Sequence, residues 1–156
     1  ASKGHILPGQ AFVGQASVDM TTPFACGSFK NAYLGTMNNS KICVLRHRGG
    51  AAAANAEVEH EVKTLQRIGA HANLAKSLGI FRYSAPEQPD VQQCLVLEYC
   101  SHGLLSDWLG HQGGRAAVNE LNRRAIVQQI CSAMEAVAKA GVVHRDLAAH
   151  NVLVYS

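Results

Sequence analysis

Long apolar runs are missing from this sequence: none approaches the roughly 18–20 residues that a membrane-crossing helix needs, so no membrane segment is expected. The opening residues, Ala1-Ser2-Lys3-Gly4-His5, lead into proline and glycine instead of the apolar core of a secretory signal. There is no initiator methionine, so the chain reads as a fragment. Strong net charge is missing too. Lys and Arg number 14 against 11 Asp and Glu, a formal +3, which argues against a nucleic-acid partner. Arg46-His47-Arg48 and Arg123-Arg124 are the only basic clusters and read as solvated surface. The five cysteines (26, 43, 94, 100, 131) contain no CxxC pair and are odd in number, which argues against a structural zinc. Four of them lie in apolar stretches and read as small core residues of an intracellular, cytoplasmic protein.

What is present is globular composition, with 47% hydrophobic residues, a figure inflated by alanine. Residues 1–20 show no clear period and read as an N-terminal extension or lead-in strand. Phe24 to Gly35 reads as strand, glycine turn, strand; Asn38-Asn39-Ser40 is turn chemistry before the apolar run Ile42-Cys43-Val44-Leu45. Val58, Val62, Leu65 and Ile68 recur at helical spacing and predict a helix over 53–68. Strands are expected at Leu78–Tyr83 and Cys94–Glu98 around a Pro-bearing loop, Ser84–Asp90, with a short helix from Gly103 to Trp108 and a loop from Gly110 to Gly114. The longest helix is expected over 119–140, buried through Ile126, Ile130, Met134 and Val137 and stopped by Gly141. Strands with one helix, followed by helices, make an α+β design.

One motif sets the class. His144-Arg145-Asp146-Leu147-Ala148-Ala149-His150-Asn151 follows the long helix and precedes a short apolar strand, Val152-Leu153-Val154. It resembles H-R-D-L-x-x-x-N, the catalytic loop of protein kinases. Phosphoryl transfer is mostly positioning and electrostatics, so such a loop holds two groups at once. The resemblance implies that Asp146 accepts the proton of the attacking hydroxyl and that Asn151 ligates Mg²⁺ bridging the phosphates of ATP. It also implies that Arg145 pairs with an activation-loop phosphate and that His144 packs against the hydrophobic spine.

The likeness extends over most of the chain. Cys94-Leu95-Val96-Leu97-Glu98-Tyr99-Cys100-Ser101-His102-Gly103 is similar to the kinase fifth strand and hinge, with Leu97 as gatekeeper and backbone groups of Glu98 and Cys100 pairing with adenine. Glu61 shares a face with Val58 and Leu65, and a carboxylate there needs a cation. The following Gly69-Ala70-His71-Ala72-Asn73-Leu74 is similar to the G-x-H-x-N-[IL] after the kinase C-helix, so Glu61 resembles the glutamate that meets the catalytic lysine. An exposed helical Glu beside Glu57 and Glu59 is the plainer reading.

Two departures follow. The V-A-I-K lysine is absent, because the matching residues are Ile42-Cys43-Val44-Leu45; strand parity sets Cys43 and Leu45 on one face and Val44 and Arg46 on the other. Of the glycine-loop pattern, only Gly27 survives in Ala25-Cys26-Gly27-Ser28-Phe29-Lys30-Asn31-Ala32. Ala32 takes the place of the adenine-roofing valine, so Lys30, two residues earlier, should face the same way. That stretch is similar to the with-no-lysine kinases, which carry their catalytic lysine in the glycine loop. Lys30 is accordingly either the relocated phosphate-binding ammonium or a solvated lysine of a pseudokinase.

The expected fold is protein-kinase-like: an N-lobe (21–98) of five-stranded antiparallel sheet plus C-helix, a hinge (99–103), and a partial helical C-lobe (104–156). Phe24, Ala32, Cys43, Leu97 and Leu153 would line the adenine pocket. The expected function is phosphoryl transfer from ATP, with Mg²⁺, to a protein hydroxyl. Ala148 replaces the lysine of serine/threonine kinases, and Asp146-Leu147-Ala148-Ala149 resembles the tyrosine-kinase D-L-A-A-R-N with His150 for arginine, so tyrosine is favoured. The alternatives are a pseudokinase scaffold that binds partners and an unrelated α+β domain. No D-F-G occurs up to Ser156, so this peptide is expected to be inactive alone.

Overall fold

The computed structural model describes residues 2–5, 15–85, 88–110 and 120–155. Within them the chain divides into two compact units, one of residues 1–66 with 76–99, the other of residues 67–75 with 100–156.

The first unit is built on a seven-stranded sheet. Its strands are β1 (Ser2–His5), β2 (Gln15–Val18), β3 (Ala25–Cys26), β4 (Lys30–Met37), β5 (Ser40–His47), β6 (Ser77–Ala85) and β7 (Gln88–Glu98). The order across the sheet is β1-β2-β4-β5-β7-β6, with β3 also on β4, and all pairings are antiparallel. Helix α1 (Ala51–Ile68) begins with four alanines, the best helix formers, after Gly49 and Gly50, and ends before Gly69, whose φ of 81° suits glycine.

Alternation along β4, β5 and β7 divides the apolar side chains between the two sheet faces. Ala16, Val18, Met20, Tyr33, Met37, Ile42, Val44, Phe81, Cys94 and Val96 form the core of one face. On the other, Ile80 and Leu95 pack with Val58 and Val62 of α1, flanked by Leu45, Leu65 and Leu97. The helix is thereby seated on β6 and β7, with Leu45 of β5 at its flank, on the face that parity assigns to Leu45.

The second unit holds α2 (Leu105–Gly110), α3 (Glu120–Lys139) and a 3₁₀ turn (Ala149–Asn151). Helix α3 stops in a Schellman arrangement: the N–H of Gly141 donates to Ala138 O at 2.9 Å and that of Val142 to Val137 O at 3.1 Å, with Gly141 at φ 66°.

Several expectations need correction. The sheet has seven strands, not five. Strands β1 and β2 were not expected as separate elements in residues 1–20, yet Ala16, Val18 and Met20 alternate and are buried, which is the period-two signal of β2. Strands β6 and β7 run through most of the expected 84–90 loop. Val152–Val154 forms no strand, only a bridge between Leu104 and Leu153. On α3 the buried residues are Ala133 and Val137, while Ile130 and Met134 are partly covered. Residues 111–119, with most of the expected 110–114 loop, lie outside the described residues. Only two of the five cysteines, Cys94 and Cys100, are buried; Cys26 and Cys131 are exposed, because Cys26 lies on the short strand β3 and Cys131 on the outer side of α3.

Strand β2 can lie on β4 only because residue 35 has no side chain. A Cβ on Gly35 would stand 2.9 Å from Val18 Cγ2, 3.0 Å from Ser17 O and 3.1 Å from Ile42 Cγ1. Gly35→Ala should therefore destabilise the chain by about 1–3 kcal/mol through overpacking, read by urea denaturation. Burial pushes the Cys94 thiol up to about 12. Alkylation of the native chain at mildly alkaline pH should modify Cys26 and Cys131 and spare Cys94 until denaturant is added, as followed by mass spectrometry.

Candidate functional site

Residues 27–29 turn the chain from β3 into β4. Gly27 N–H donates to Lys30 O at 2.8 Å, Phe24 N–H to Ala32 O at 2.9 Å, and Arg48 N–H to Phe29 O at 2.9 Å, which ties the turn to the end of β5. Phe29 at its tip is exposed. Register sets Lys30 opposite His47, Ala32 opposite Leu45, Leu34 opposite Cys43, and Cys43 opposite Leu97. Lys30, Ala32, Cys43, Leu45, His47 and Leu97 thus share the face that carries α1.

Across that face Lys30 Nζ reaches Glu61 Oε2 at 2.5 Å. The partners are 30% and 32% exposed, so the pair is partly screened by water and belongs to the class worth about 1 kcal/mol or less. Leu45, where the family pattern has its lysine, faces α1 with a hydrocarbon side chain. Arg46, next to it, projects from the opposite face: its Nε donates to Gln92 Oε1 at 2.7 Å and its guanidinium stands 5.0 Å from the Tyr83 ring centroid. The cation nearest in sequence to the missing lysine is therefore engaged away from Glu61.

His47 was read from sequence only as part of a solvated basic cluster. It is instead mostly buried, with Nε2 3.7 Å from Glu61 Oε2, and the parity argument that sorted Cys43 from Arg46 would have placed it there. Burial first, then the Lys30 ammonium, lowers its pKa from the usual imidazole value, against the opposing pull of Glu61 and Glu57.

Among the residues assigned to adenine, Phe24 is exposed and meets Tyr99 edge-on, with ring centroids 6.1 Å apart. Ala32, Cys43 and Leu97 lie on the α1 face of neighbouring strands. Glu98 N–H donates to Lys76 O at 3.1 Å and its Oε1 accepts from Lys76 N–H at 3.0 Å, so the Glu98 amide is already engaged. These five belong to the first unit. In the second, Cys100 Sγ donates to Val154 O at 2.6 Å, and Leu153 bridges Leu104.

The second unit also presents a compact polar bend. Arg145 adopts φ 67°, the left-handed region, and Asp146 N–H donates to His144 Nδ1 at 3.3 Å. The 3₁₀ turn then brings Asn151 back, and its Nδ2 donates to both Asp146 O and Asp146 Oδ2 at 2.8 Å. His150 Nε2 stands 3.9 Å from the same Oδ2. With Nδ2 donating to Asp146, the amide oxygen of Asn151 remains as a hard oxygen donor, and the second carboxylate oxygen of Asp146 stays open to accept a proton. One such amide oxygen fits magnesium, which takes one or two protein ligands and completes its shell with phosphates and water.

The family described as protein tyrosine and serine/threonine kinase matches residues 18–156. The chain belongs to the protein kinase family. Its relatives within that family divide by specificity. Tyrosine-protein kinase csk-1 of Caenorhabditis elegans is 28% identical over 143 residues, which is 91% of this chain. Serine/threonine-protein kinase unc-51 of the same organism is 35% identical over 96 residues, 60% of this chain. Misshapen-like kinase 1 of Rattus norvegicus is 30% identical over 98 residues, 63% of this chain. The chain spans 25%, 10% and 7% of the lengths of these curated relatives. The antiparallel sheet with its single helix is the small lobe of the kinase fold, and Asp146 to Asn151 lies in the family's catalytic-loop motif.

A double-mutant cycle with Lys30→Met and Glu61→Gln should return a coupling of about 0.5–1 kcal/mol in urea denaturation of this chain, diminishing at high salt. Zero coupling at low salt would remove the ion pair from the folded state.

Proposed function

We propose that the full-length protein containing this chain is an ATP-dependent protein kinase that holds the nucleotide phosphates with Lys30 instead of a lysine on β5. The observation that supports this is the Lys30–Glu61 ion pair, formed where Leu45 has no charge and Arg46 is turned away. In this reading the Lys30 ammonium compensates charge on the α- and β-phosphates, and Glu61 fixes its position through Oε2. The Asp146 carboxylate accepts the proton of the attacking hydroxyl, aimed by the amide of Asn151, whose oxygen holds the metal ion. Mg²⁺-ATP supplies the transferable phosphoryl group and the positive charge that its departure requires. Phe24, Ala32, Cys43 and Leu97 receive adenine from the sheet side, with backbone groups of Glu98 beside them. Gly27 lets backbone approach phosphate, and Arg145 pairs with an activation-loop phosphate.

For the acceptor we infer tyrosine. Ala148, two residues after Asp146, leaves no lysine to touch the transferred phosphate as in serine/threonine kinases. The substrate is then a protein, and five cysteines without a disulfide suit an intracellular site of action.

A second reading, a pseudokinase scaffold, is favoured by Ala25 and Lys30 where the pattern has glycine, since side chains there hinder approach of backbone to phosphate. Turnover separates the two. Lys30→Met in the full-length protein should lower kcat by at least about 100-fold, the scale for removing a charge-stabilising donor, while Arg46→Met changes it only a few-fold. Undiminished activity in Lys30→Met would falsify the relocation. A wild-type protein that is thermally stabilised by Mg²⁺-ATP but transfers no phosphate to tyrosine, serine or threonine peptides would establish the scaffold.

A further inference from the structure

Two groups address one oxygen of Glu61. Lys30 Nζ lies 2.5 Å from Oε2, and His47 Nε2 lies 3.7 Å from the same atom. Lys30 and His47 are direct partners across the β4–β5 ladder, so neither can leave the other's vicinity without breaking strand pairing. The His47 side chain is only 11% exposed, and its Nε2 has no hydrogen-bond partner. Its backbone is fixed as well, because His47 O accepts from Gln92 Nε2 at 2.8 Å while Gln92 Oε1 is held by Arg46. An imidazole nitrogen buried without a partner beside a carboxylate normally closes that gap or is excluded from it. Here the lysine has taken the place.

We propose that His47 is a positioning residue for the Lys30–Glu61 pair: neutral, it borders the shared oxygen and leaves it to Lys30; protonated, it claims that oxygen and repels the ammonium. This rests on the reading of Lys30 as the phosphate-binding lysine. The charged and titratable groups facing the ring are Lys30 from β4 and Glu61 and Glu57 from α1, whereas Gln92 of β7 touches only the His47 backbone carbonyl from the other face. Arg46 and Arg48 flank it in the chain and, with His47, Asn31, Gly49 and Gly50, line an open cavity of about 380 Å³.

The sign follows from the environment. Burial and Lys30 lower the pKa of His47, so the folded protein takes up this proton less readily than the unfolded chain. His47 is neutral at neutral pH, and its compatibility with Lys30 is complete above the ordinary imidazole value of about 6.5. That compatibility is lost as pH falls through the depressed value, and the ammonium loses its anchor over the same interval.

The first test uses this chain. The His47 imidazole is titrated by NMR in the wild type and in Lys30→Met. Removing the ammonium should raise the midpoint by on the order of one pH unit, and an unchanged midpoint overturns the proposal. The second uses the full-length kinase. His47→Gln, which keeps polarity but cannot titrate, should extend kcat/KM for ATP to lower pH. His47→Lys, permanently charged, should raise KM for ATP about tenfold at pH 7.5. Should Lys30→Met abolish turnover while both His47 variants keep the wild-type pH profile and KM, the positioning role fails and the Lys30 reading stands. If Lys30→Met remains fully active, the Lys30 reading fails first.

Discussion

A single ion pair organises the candidate site. Lys30 and Glu61 are separated by 31 residues and joined at 2.5 Å, linking the turn-bearing strand β4 to helix α1. Neither carbon stem is buried enough to make the contact a large source of stability; the apolar seat of α1, through Val58, Val62, Ile80 and Leu95, provides that. What the pair adds is direction. A flexible four-carbon lysine would sample many rotamers from an open sheet face, and a carboxylate fixed on a packed helix selects one. The seat holds the helix, the helix holds the carboxylate, and the carboxylate holds the ammonium.

The arrangement also accounts for an otherwise odd distribution of charge around β5. Leu45 and Arg46 are neighbours in sequence but lie on opposite faces, so their chemistry cannot be exchanged by a small shift. A one-residue slip that brought Arg46 toward Glu61 would turn Ile42 and Val44 out of the core on the other side. Register therefore protects the pair: the same alternation that buries the sheet keeps the wrong cation away. His47 stands on the correct face and is admitted there by being uncharged at neutral pH.

Much of this was legible in the sequence where chemistry dictates residue identity at fixed spacing. The catalytic-loop motif needs particular residues five apart, and period-two alternation was enough to put Lys30 and Ala32 on one face with Leu45. What escaped was governed by contacts between distant segments. Ala16, Val18 and Met20 carry a strand signal too short to stand out, and its meaning depends on Gly35 leaving room for it. Cys26 and Cys131 sit in apolar surroundings along the chain yet face outward, because composition does not say which side of an element is covered. His47 was hidden by its neighbours, since two flanking arginines make a basic cluster look uniform when the strand sends its members in opposite directions.

The hydrogen bond from Arg48 N–H to Phe29 O, together with the rung between Lys30 and His47, fastens the glycine turn to the strand that follows. Lys30 is the first rung of that ladder, only three residues from Gly27. A lysine on β5 would stay behind when such a turn lifts, but one at position 30 travels with it. With Lys30 holding the phosphates as proposed, loosening the turn and withdrawing that charge would be a single mechanical event, coupling release to disarming with no additional moving part.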